Sequence, residues 1–128
     1  ARKLAREEKY HQLHARTFVQ QLATSNADAR GRLQAALDEA YPLAFGLFEP
    51  TVHTETLAAE GVQPREDALM KAWRVEVGEF LTACGLRVPE VHDFVDHFGG
   101  RSGHHTPHLA PLLAEMTEVF AIDPAAKW

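Results

Sequence analysis

The stretch Leu4-Ala5-Arg6-Glu7-Glu8-Lys9-Tyr10-His11, which continues to Leu22, decides how the rest of the chain is interpreted. Steps of three and four residues place six positions on one side of a helix: Leu4, Glu8, His11, Ala15, Phe18 and Leu22. A carboxylate and an imidazole therefore interrupt a row that is otherwise apolar. Burying such a pair is costly unless it is hydrogen-bonded, paired or bound to a metal. Glu8 and His11 are accordingly the first candidate functional residues.

The spacing Glu-x-x-His is the one that carboxylate-bridged di-metal bundles project into their cores. A complete site needs two such units and further carboxylates, and this chain contains one unit. Asp38 and Glu39 are possible additional carboxylates, but they lie close to Pro42, where we expect a kink. Two interpretations of Glu8 and His11 stay open: metal ligation, or a hydrogen-bonded or salt-bridged pair in a helix interface, where it would select a partner.

Composition narrows the class of protein. The 128 residues and the 45% hydrophobic content suffice for one modest core, so we expect one domain or part of one. The net charge of -5, with no basic stripe, argues against nucleic-acid binding. The single cysteine, Cys84, favours a reducing compartment and hence the cytoplasm, and no apolar run is long enough to cross a membrane. Because the chain begins without methionine on a helical pattern, we expect a truncated N-terminus.

Apolar periodicity predicts an all-α chain of about four main helices. They cover residues 1–24, 27–48, 64–84, and a last segment that begins near 106 or 110 and ends before 123. Asn26 is expected to cap the second helix, Pro42 to kink it, and Pro64 to lie in the first turn of the third. Gly85 is the expected left-handed terminator of that third helix.

Shorter pieces fill the connections. We expect a short helix over residues 54–60, an amphipathic piece over 90–98 and a flexible glycine-rich loop over 99–103. No stretch alternates apolar and polar residues over five or six positions, so no strand is predicted.

The same periodicity predicts which side chains are buried. The third helix should bury Leu69, Trp73, Val77, Phe80 and Cys84, and the last helix Leu109, Leu112, Leu113, Met116, Val119 and Phe120. Four aromatics at helical spacing are expected in the core: Phe18, Trp73, Phe80 and Phe120. A terminal aromatic such as Trp128 needs a surface to rest on, which is either the last helix or a partner.

Other chemistry is poorly supported by the sequence. His104 and His108 could chelate zinc only if both lay on one helical turn, and His104 lies on the loop side of Thr106. The histidines of this region, which are His92, His97, His104, His105 and His108, are interpreted instead as a polar, partly exposed surface that docks on something. Ser102 lacks a nucleophile elbow and Cys84 lies on an apolar row, so neither is expected to be a nucleophile. No phosphate-binding or dinucleotide-binding glycine motif is present.

Several stretches together resemble one known family. They are Glu7 with Tyr10-His11, the run from Leu33 to Glu49, Glu60-Gly61-Val62, and a tail of Gly99-Gly100-Arg101-Ser102-Gly103-His104-His105-Thr106, Leu109, Leu113-Ala114-Glu115-Met116 and Trp128. In their order and spacing they resemble the C subunits of the bacterial ring-1,2-phenylacetyl-CoA epoxidases, the phenylacetate-degradation family. The resemblance spans essentially the whole chain.

The resemblance implies a ferritin-like helical bundle, of which residues 1–128 are the C-terminal part of one domain. It implies a structural subunit without a catalytic residue, metal or cofactor of its own, which supports a catalytic A subunit that holds the di-iron centre. Further subunits of the complex and an oligomeric assembly are expected as partners, with no nucleic acid and no membrane. Glu8 with His11 nevertheless matches the ligand pattern of a catalytic paralogue. The alternative is a self-contained di-iron or di-manganese enzyme that uses these two residues.

Overall fold

The computed structural model describes the backbone of residues 2–127 and the side chains of residues 4–127. In that part the chain is helical and has no strand, which confirms the predicted all-α class. The helices are α1 (Arg2–Ser25), α2 (Ala27–Leu43), α3 (Thr54–Ala59), α4 (Glu66–Ala83) and α5 (Leu109–Ile122). Three short 3-10 helices lie at Ala44–Phe48, Phe94–His97 and Gly100–Ser102. Contacts divide the chain into two units, Ala1–Phe98 and Gly99–Trp128.

The connection between α1 and α2 is the single residue Asn26. Its backbone is extended, and its side-chain oxygen accepts a hydrogen bond from the backbone N–H of Ala29 at 2.8 Å, so the predicted N-cap is confirmed. Across the corner the Arg30 guanidinium donates to the carbonyl oxygen of Ala23, a buried residue, at 3.0 Å. These bonds fix the α1–α2 hairpin at its closed end.

Pro42 changes the type of helix without breaking the chain's helical path. α2 ends at Leu43, and the chain continues directly as the 3-10 helix Ala44–Phe48. Proline has no N–H to donate to the carbonyl of Asp38, so the α-helical ladder is already incomplete there. The predicted disturbance at Pro42 therefore takes the form of a tighter helical segment, which carries Phe45 into the core.

An aromatic cluster forms the centre of the unit Ala1–Phe98. Phe45 is 0% exposed, and its ring centroid lies 5.7 Å from Tyr41, 5.6 Å from Trp73 and 5.8 Å from Phe94. Tyr41 and Trp73 stack at 5.2 Å. These separations fall in the range where aromatic pairs attract beyond simple area burial. Burial raises the pKa of Tyr41, and the positive charge of Arg74 partly offsets that effect.

The C-terminus of α4 is a Schellman motif. Gly85 adopts the left-handed conformation (φ 73°), its N–H donates to Thr82 O at 2.9 Å, and the N–H of Leu86 donates to Leu81 O at 3.0 Å. Leu81 and Leu86 are both buried, which is the hydrophobic contact that accompanies this motif. The prediction for Gly85 is confirmed.

The N-terminus of α4 corrects the prediction for Pro64. Helical geometry begins at Glu66 and the extended Arg65 is the N-cap, so Pro64 precedes the first turn instead of lying in it. The Arg65 side chain bonds to Glu55 and Asp67. The side-chain hydrogen bond from Arg65 lowers the pKa of Asp67, and the one to Glu55 is the largest cause of a raised pKa at Arg65.

A polar clamp ties the segment after α4 to α2. The side-chain amide of Gln34 accepts from the backbone N–H of Arg87 at 2.9 Å and donates to the backbone carbonyl of Arg87 at 3.0 Å. Asp38 accepts from the guanidinium of Arg87 at 2.7 Å and from Gln34 at 2.9 Å. Gln34 thus satisfies both backbone groups of one residue in a loop that has no secondary-structure partner.

Burial is where the sequence prediction is most often wrong. In α1 the predicted row is exposed at Leu4, Glu8, His11, Ala15 and Phe18. The reason is that α1 packs through another side, about a quarter turn away around the helix. That side carries Gln12, Arg16, Val19 and Ala23.

The last helix gives the same result. Five of the residues predicted to be buried in α5 are exposed: Leu112, Leu113, Met116, Val119 and Phe120. Among the described residues of Gly99–Trp128, α5 is the only helix longer than one turn, so this unit offers its apolar side no surface to pack on.

The prediction for α4 is mostly confirmed. Four of its five residues are partly buried as predicted, namely Trp73, Val77, Phe80 and Cys84, whereas Leu69 is exposed.

The first prediction concerns Gly46, where a Cβ atom would lie 2.8 Å from the carbonyl oxygen of His97. Because the obstacle is backbone, Gly46→Ala should lower the free energy of unfolding by about 1–3 kcal/mol, measured by urea denaturation. Gly31→Ala is the matched control, since a Cβ there meets nothing within 4 Å. Replacing glycine by alanine inside α2 should stabilise by about 0.5–1 kcal/mol. Equal effects of the two changes would contradict the close approach.

The second prediction concerns the clamp. Gln34→Ala leaves the N–H and carbonyl groups of Arg87 without their side-chain partner and should lower the free energy of unfolding by about 1–3 kcal/mol. Amide hydrogen exchange at Arg87 should accelerate in the same variant. Gln20→Ala, at an exposed position of α1, is the control and should leave that exchange rate unchanged. Protection of Arg87 that survives in Gln34→Ala would refute the clamp.

Candidate functional site

Glu8 and His11 lie together on the first half of α1. The Nδ1 atom of His11 is 3.6 Å from Oε1 of Glu8, so the pair inferred from the spacing exists. The side chains are 73% exposed at His11 and 72% at Glu8, and the expectation that they lie in a buried row is wrong for this chain. An exposed pair of this kind contributes little to stability.

Metal ligation by this pair would need donors beyond the two residues. Protein sites usually supply three or four ligands, and among the described residues no three His, Cys, Asp or Glu side chains come together. Asp38, one of the carboxylates considered as an addition, is instead bonded to Gln34 and Arg87. Glu39, the other, is exposed on α2. The one Glu-x-x-His unit therefore offers an imidazole and a carboxylate, which are fewer donors than a di-metal site requires.

The glycine-rich segment expected to be a flexible loop contains a defined turn. Gly99 and Gly103 both have positive φ and bracket the 3-10 helix Gly100–Ser102. The N–H groups of Ser102 and His104 both donate to Gly99 O at 2.9 Å. A Cβ on Gly99 would lie 3.1 Å from the Cβ of His104, so glycine suits this position in conformation and in space.

The histidines around this turn do not form a helical zinc site. α5 begins at Leu109 with His108 as its N-cap, so His104 and His108 do not share a helical turn. His104, His105 and His108 are exposed, which agrees with the interpretation of a polar surface. Cys84 is partly buried against the core and Ser102 is exposed. Trp128, expected to rest on a surface, lies outside the described residues.

The first half of α1 is an extended exposed segment of the unit Ala1–Phe98. Every described side chain from Leu4 to Ala15 is exposed, including Leu4, Tyr10 and Leu13. Three turns of helix whose side chains are all exposed are marginal in water, so another surface that covers this segment would stabilise it. The row Leu4, Glu8, His11, Ala15, Phe18 and Leu22, here called the α1 row, is the side that such a surface would cover.

Sequence reasoning missed the residues that anchor α1. Glu76 of α4 accepts from the guanidinium of Arg16 at 2.9 Å and from the side-chain amide of Gln12 at 3.3 Å. The same guanidinium lies over the ring of Phe80, 4.8 Å from its centroid. The signal was the spacing of four between Gln12 and Arg16, which a search for apolar rows passes over.

No helix of the described part is long and apolar enough to cross a bilayer.

Comparison with known proteins gives a consistent result. Residues 1–128 match the family model described as phenylacetic acid catabolic protein. The chain is 28% identical over 126 residues to the C subunit of 1,2-phenylacetyl-CoA epoxidase from Escherichia coli (strain K12). That alignment covers 98% of this chain and 50% of the relative. The chain therefore spans about half the length of the curated relative that it matches.

The third prediction tests the exposure of the pair. His11→Gln should shift the midpoint of thermal unfolding of the chain by less than about 1 °C, because the imidazole is solvated and makes one weak contact. Phe45→Ala is the comparison, since it empties the centre of the aromatic cluster. It should lower the midpoint by more than about 6 °C, by circular dichroism. A drop of several degrees in His11→Gln would show that the pair is buried.

Proposed function

The chain belongs to the family of phenylacetic acid catabolic proteins, and from that premise we propose that it is part of a structural, non-catalytic C subunit of a ring-1,2-phenylacetyl-CoA epoxidase. The observation that carries the proposal is the apolar helix surface exposed on α1 and on α5, in a chain that matches an epoxidase C subunit along 98% of its length. Exposed apolar surface of this kind is commonly covered by another chain or segment, and the relative that this chain matches is a subunit of an epoxidase.

The proposed role is to stabilise a partner by burying helix surface. Large apolar side chains are exposed on both α1 and α5, among them Leu4 at 63% and Met116 at 71%, and covering apolar area contributes about 25 cal/mol for each Å² removed from water. The catalytic A subunit would be held in its active conformation by contacts of this kind. The aromatic cluster around Phe45 and the clamp at Gln34 would keep this chain rigid enough for that role.

In the same proposal, residues 1–128 are the C-terminal part of one ferritin-like helical domain. The half-length match to the relative supports it, because a bundle of twice this size has further helices available for the α1 row. Within that bundle the α1 row would face the interior, and Glu8 with His11 would be hydrogen-bonded or ion-paired there. The assembly would be cytoplasmic and oligomeric, without nucleic acid or membrane partners.

The di-iron centre belongs to the A subunit in this proposal, where it supplies the chemistry that inserts oxygen into the aromatic ring of the CoA ester. This chain would hold no cofactor. One observation favours the alternative of a self-contained di-iron or di-manganese enzyme: Nδ1 of His11 and Oε1 of Glu8 are 3.6 Å apart, so they fit one half of a ligand set. The remaining donors would have to come from outside the described residues.

The fourth prediction separates these functions. The full-length protein, co-expressed with its cognate A subunit, should co-elute with it at a fixed ratio in size-exclusion chromatography. Purified alone and reconstituted aerobically with iron, it should retain less than about one tenth of an iron per chain. Failure to co-elute would count against the structural role. One or two irons per chain, lost in Glu8→Gln and His11→Gln, would establish the alternative.

A further inference from the structure

The side of α4 that points away from the core is exposed to solvent. Steps of three and four residues place six exposed positions on one face about 100° wide, here called the α4 outer face: Ala68, Lys71, Ala72, Val75, Glu79 and Thr82. Val75 is 55% exposed, and two shallow hollows that run along this face share Val75 and Glu79 in their lining. Trp73 and Val77 pack into the core from the other side of the helix. The α4 outer face therefore takes no part in the core of the unit Ala1–Phe98.

The charged residues of this face are one cation and one anion, Lys71 and Glu79. Lys71 lies four residues before Val75 and Glu79 lies four residues after it. Eight residues of helix, about 12 Å, separate the two charges, which is too far for an ion pair within one helix. In the described part of the chain neither side chain has a hydrogen bond or an ion pair. By contrast Glu76 and Asp67, the neighbouring carboxylates of α4, are bonded to arginines of this chain.

Two copies of this face complement each other when the helices run antiparallel. A two-fold axis beside Val75 brings each position before Val75 opposite the position equally far after it in the second copy. Lys71 of each copy then faces Glu79 of the other, so both charges are paired twice over. The same symmetry sets Ala68 opposite Thr82, and Ala72 opposite Gly78, where a Cβ atom would meet nothing within 4 Å of this chain. Because these side chains are small, the two helices can approach to an interaxial distance of about 8–10 Å.

This arrangement of charges favours a second copy over another part of the same subunit. A helix of the subunit's own bundle that covered this face would have to supply a separate partner for Lys71 and for Glu79, since burying either one alone is costly. A second copy supplies both partners from the same two residues. Equal spacing on either side of one residue is what an isologous interface requires, whereas a contact with an unrelated helix does not require it.

We propose that the α4 outer face is a contact between two copies of this chain, packed as antiparallel helices about a two-fold axis at Val75. This inference goes beyond the function proposed above, because the contact requires no A subunit. α4 has 18 residues, and one pair of such helices buries less area than the roughly 1,600 Å² of a standard interface. The dimer is therefore weak, with a Kd in the micromolar range.

The fifth prediction tests this contact with the full-length protein in sedimentation-velocity ultracentrifugation. The unmodified protein should show a concentration-dependent equilibrium between monomer and dimer. Lys71→Glu and Glu79→Lys should each raise the dimer Kd about tenfold or more, because like charges then meet at both ends of the interface. An equimolar mixture of the two variants should dimerise again, with a Kd within about threefold of the unmodified value. In the mixed dimer every facing pair at these positions joins a lysine to a glutamate.

Two further sets of variants serve as controls. The double variant Lys71→Glu with Glu79→Lys exchanges the two charges and should dimerise like the unmodified protein, which shows that the substituted helix folds. Lys9→Glu and Glu39→Lys make the same charge changes at exposed positions of α1 and α2. Each should change the dimer Kd less than about twofold, and their mixture should behave like either one alone.

Three results would overturn the inference. A full-length protein that stays monomeric at about 100 μM has no such contact. Dimerisation that Lys71→Glu and Glu79→Lys leave unchanged would take place through another surface. Weakened dimerisation that neither the mixture nor the double variant restores would show that the two charges do not meet across a two-fold axis. Binding of the A subunit enters none of these measurements, so failure of this inference is distinguishable from failure of the proposed function, which co-elution with A tests.

Discussion

The packing of Phe45 between Tyr41, Trp73 and Phe94 is the interaction on which the unit Ala1–Phe98 depends. It joins α2, α4 and the segment after α4, and it is the only large side chain of the described part that is completely buried. Its position follows from Pro42, because the α-helical ladder ends there and the tighter turn that follows turns Phe45 inward. A helix breaker in the sequence therefore determines where the core lies, and the surrounding contacts at Gly46 and Gln34 support the same junction.

The helices and most of their ends, though not the start of α4 at Glu66, could be predicted because their signals are local. The Asn26 cap, the Gly85 terminator and the short helix at residues 54–59 each depend on a few neighbouring residues, and the structure shows all three. Burial could not be predicted in the same way. An apolar row shows that a side of a helix can be buried, but which side packs depends on partners distant in sequence, and in α1 the anchors are Gln12 and Arg16.

The candidate site shows the same division. The spacing of Glu8 and His11 predicts their proximity correctly, because one helical turn brings positions three apart together. It does not predict their environment, since that depends on chains or segments that cover the α1 row. Asp38 illustrates the limit for long-range partners: a carboxylate close in sequence to Pro42 is bonded to Arg87, 49 residues later. The order of several short motifs along the sequence was enough to identify the relatives, because a motif match does not depend on any of these contacts.

α1 is anchored unevenly, so a tilt of the helix moves its start further than its end. Its second half is fixed by the Asn26 corner, and Arg16 and Gln12 both bond to Glu76, whereas the first part of the helix extends past Gln12. Leu4 lies eight residues from Gln12, which is about 12 Å of helix at 1.5 Å per residue. A tilt of about 5° around Gln12 would move Leu4 by about 1 Å over that length. A given tilt of α1 would therefore displace Leu4 more than Glu8 or His11, which lie closer to the anchor.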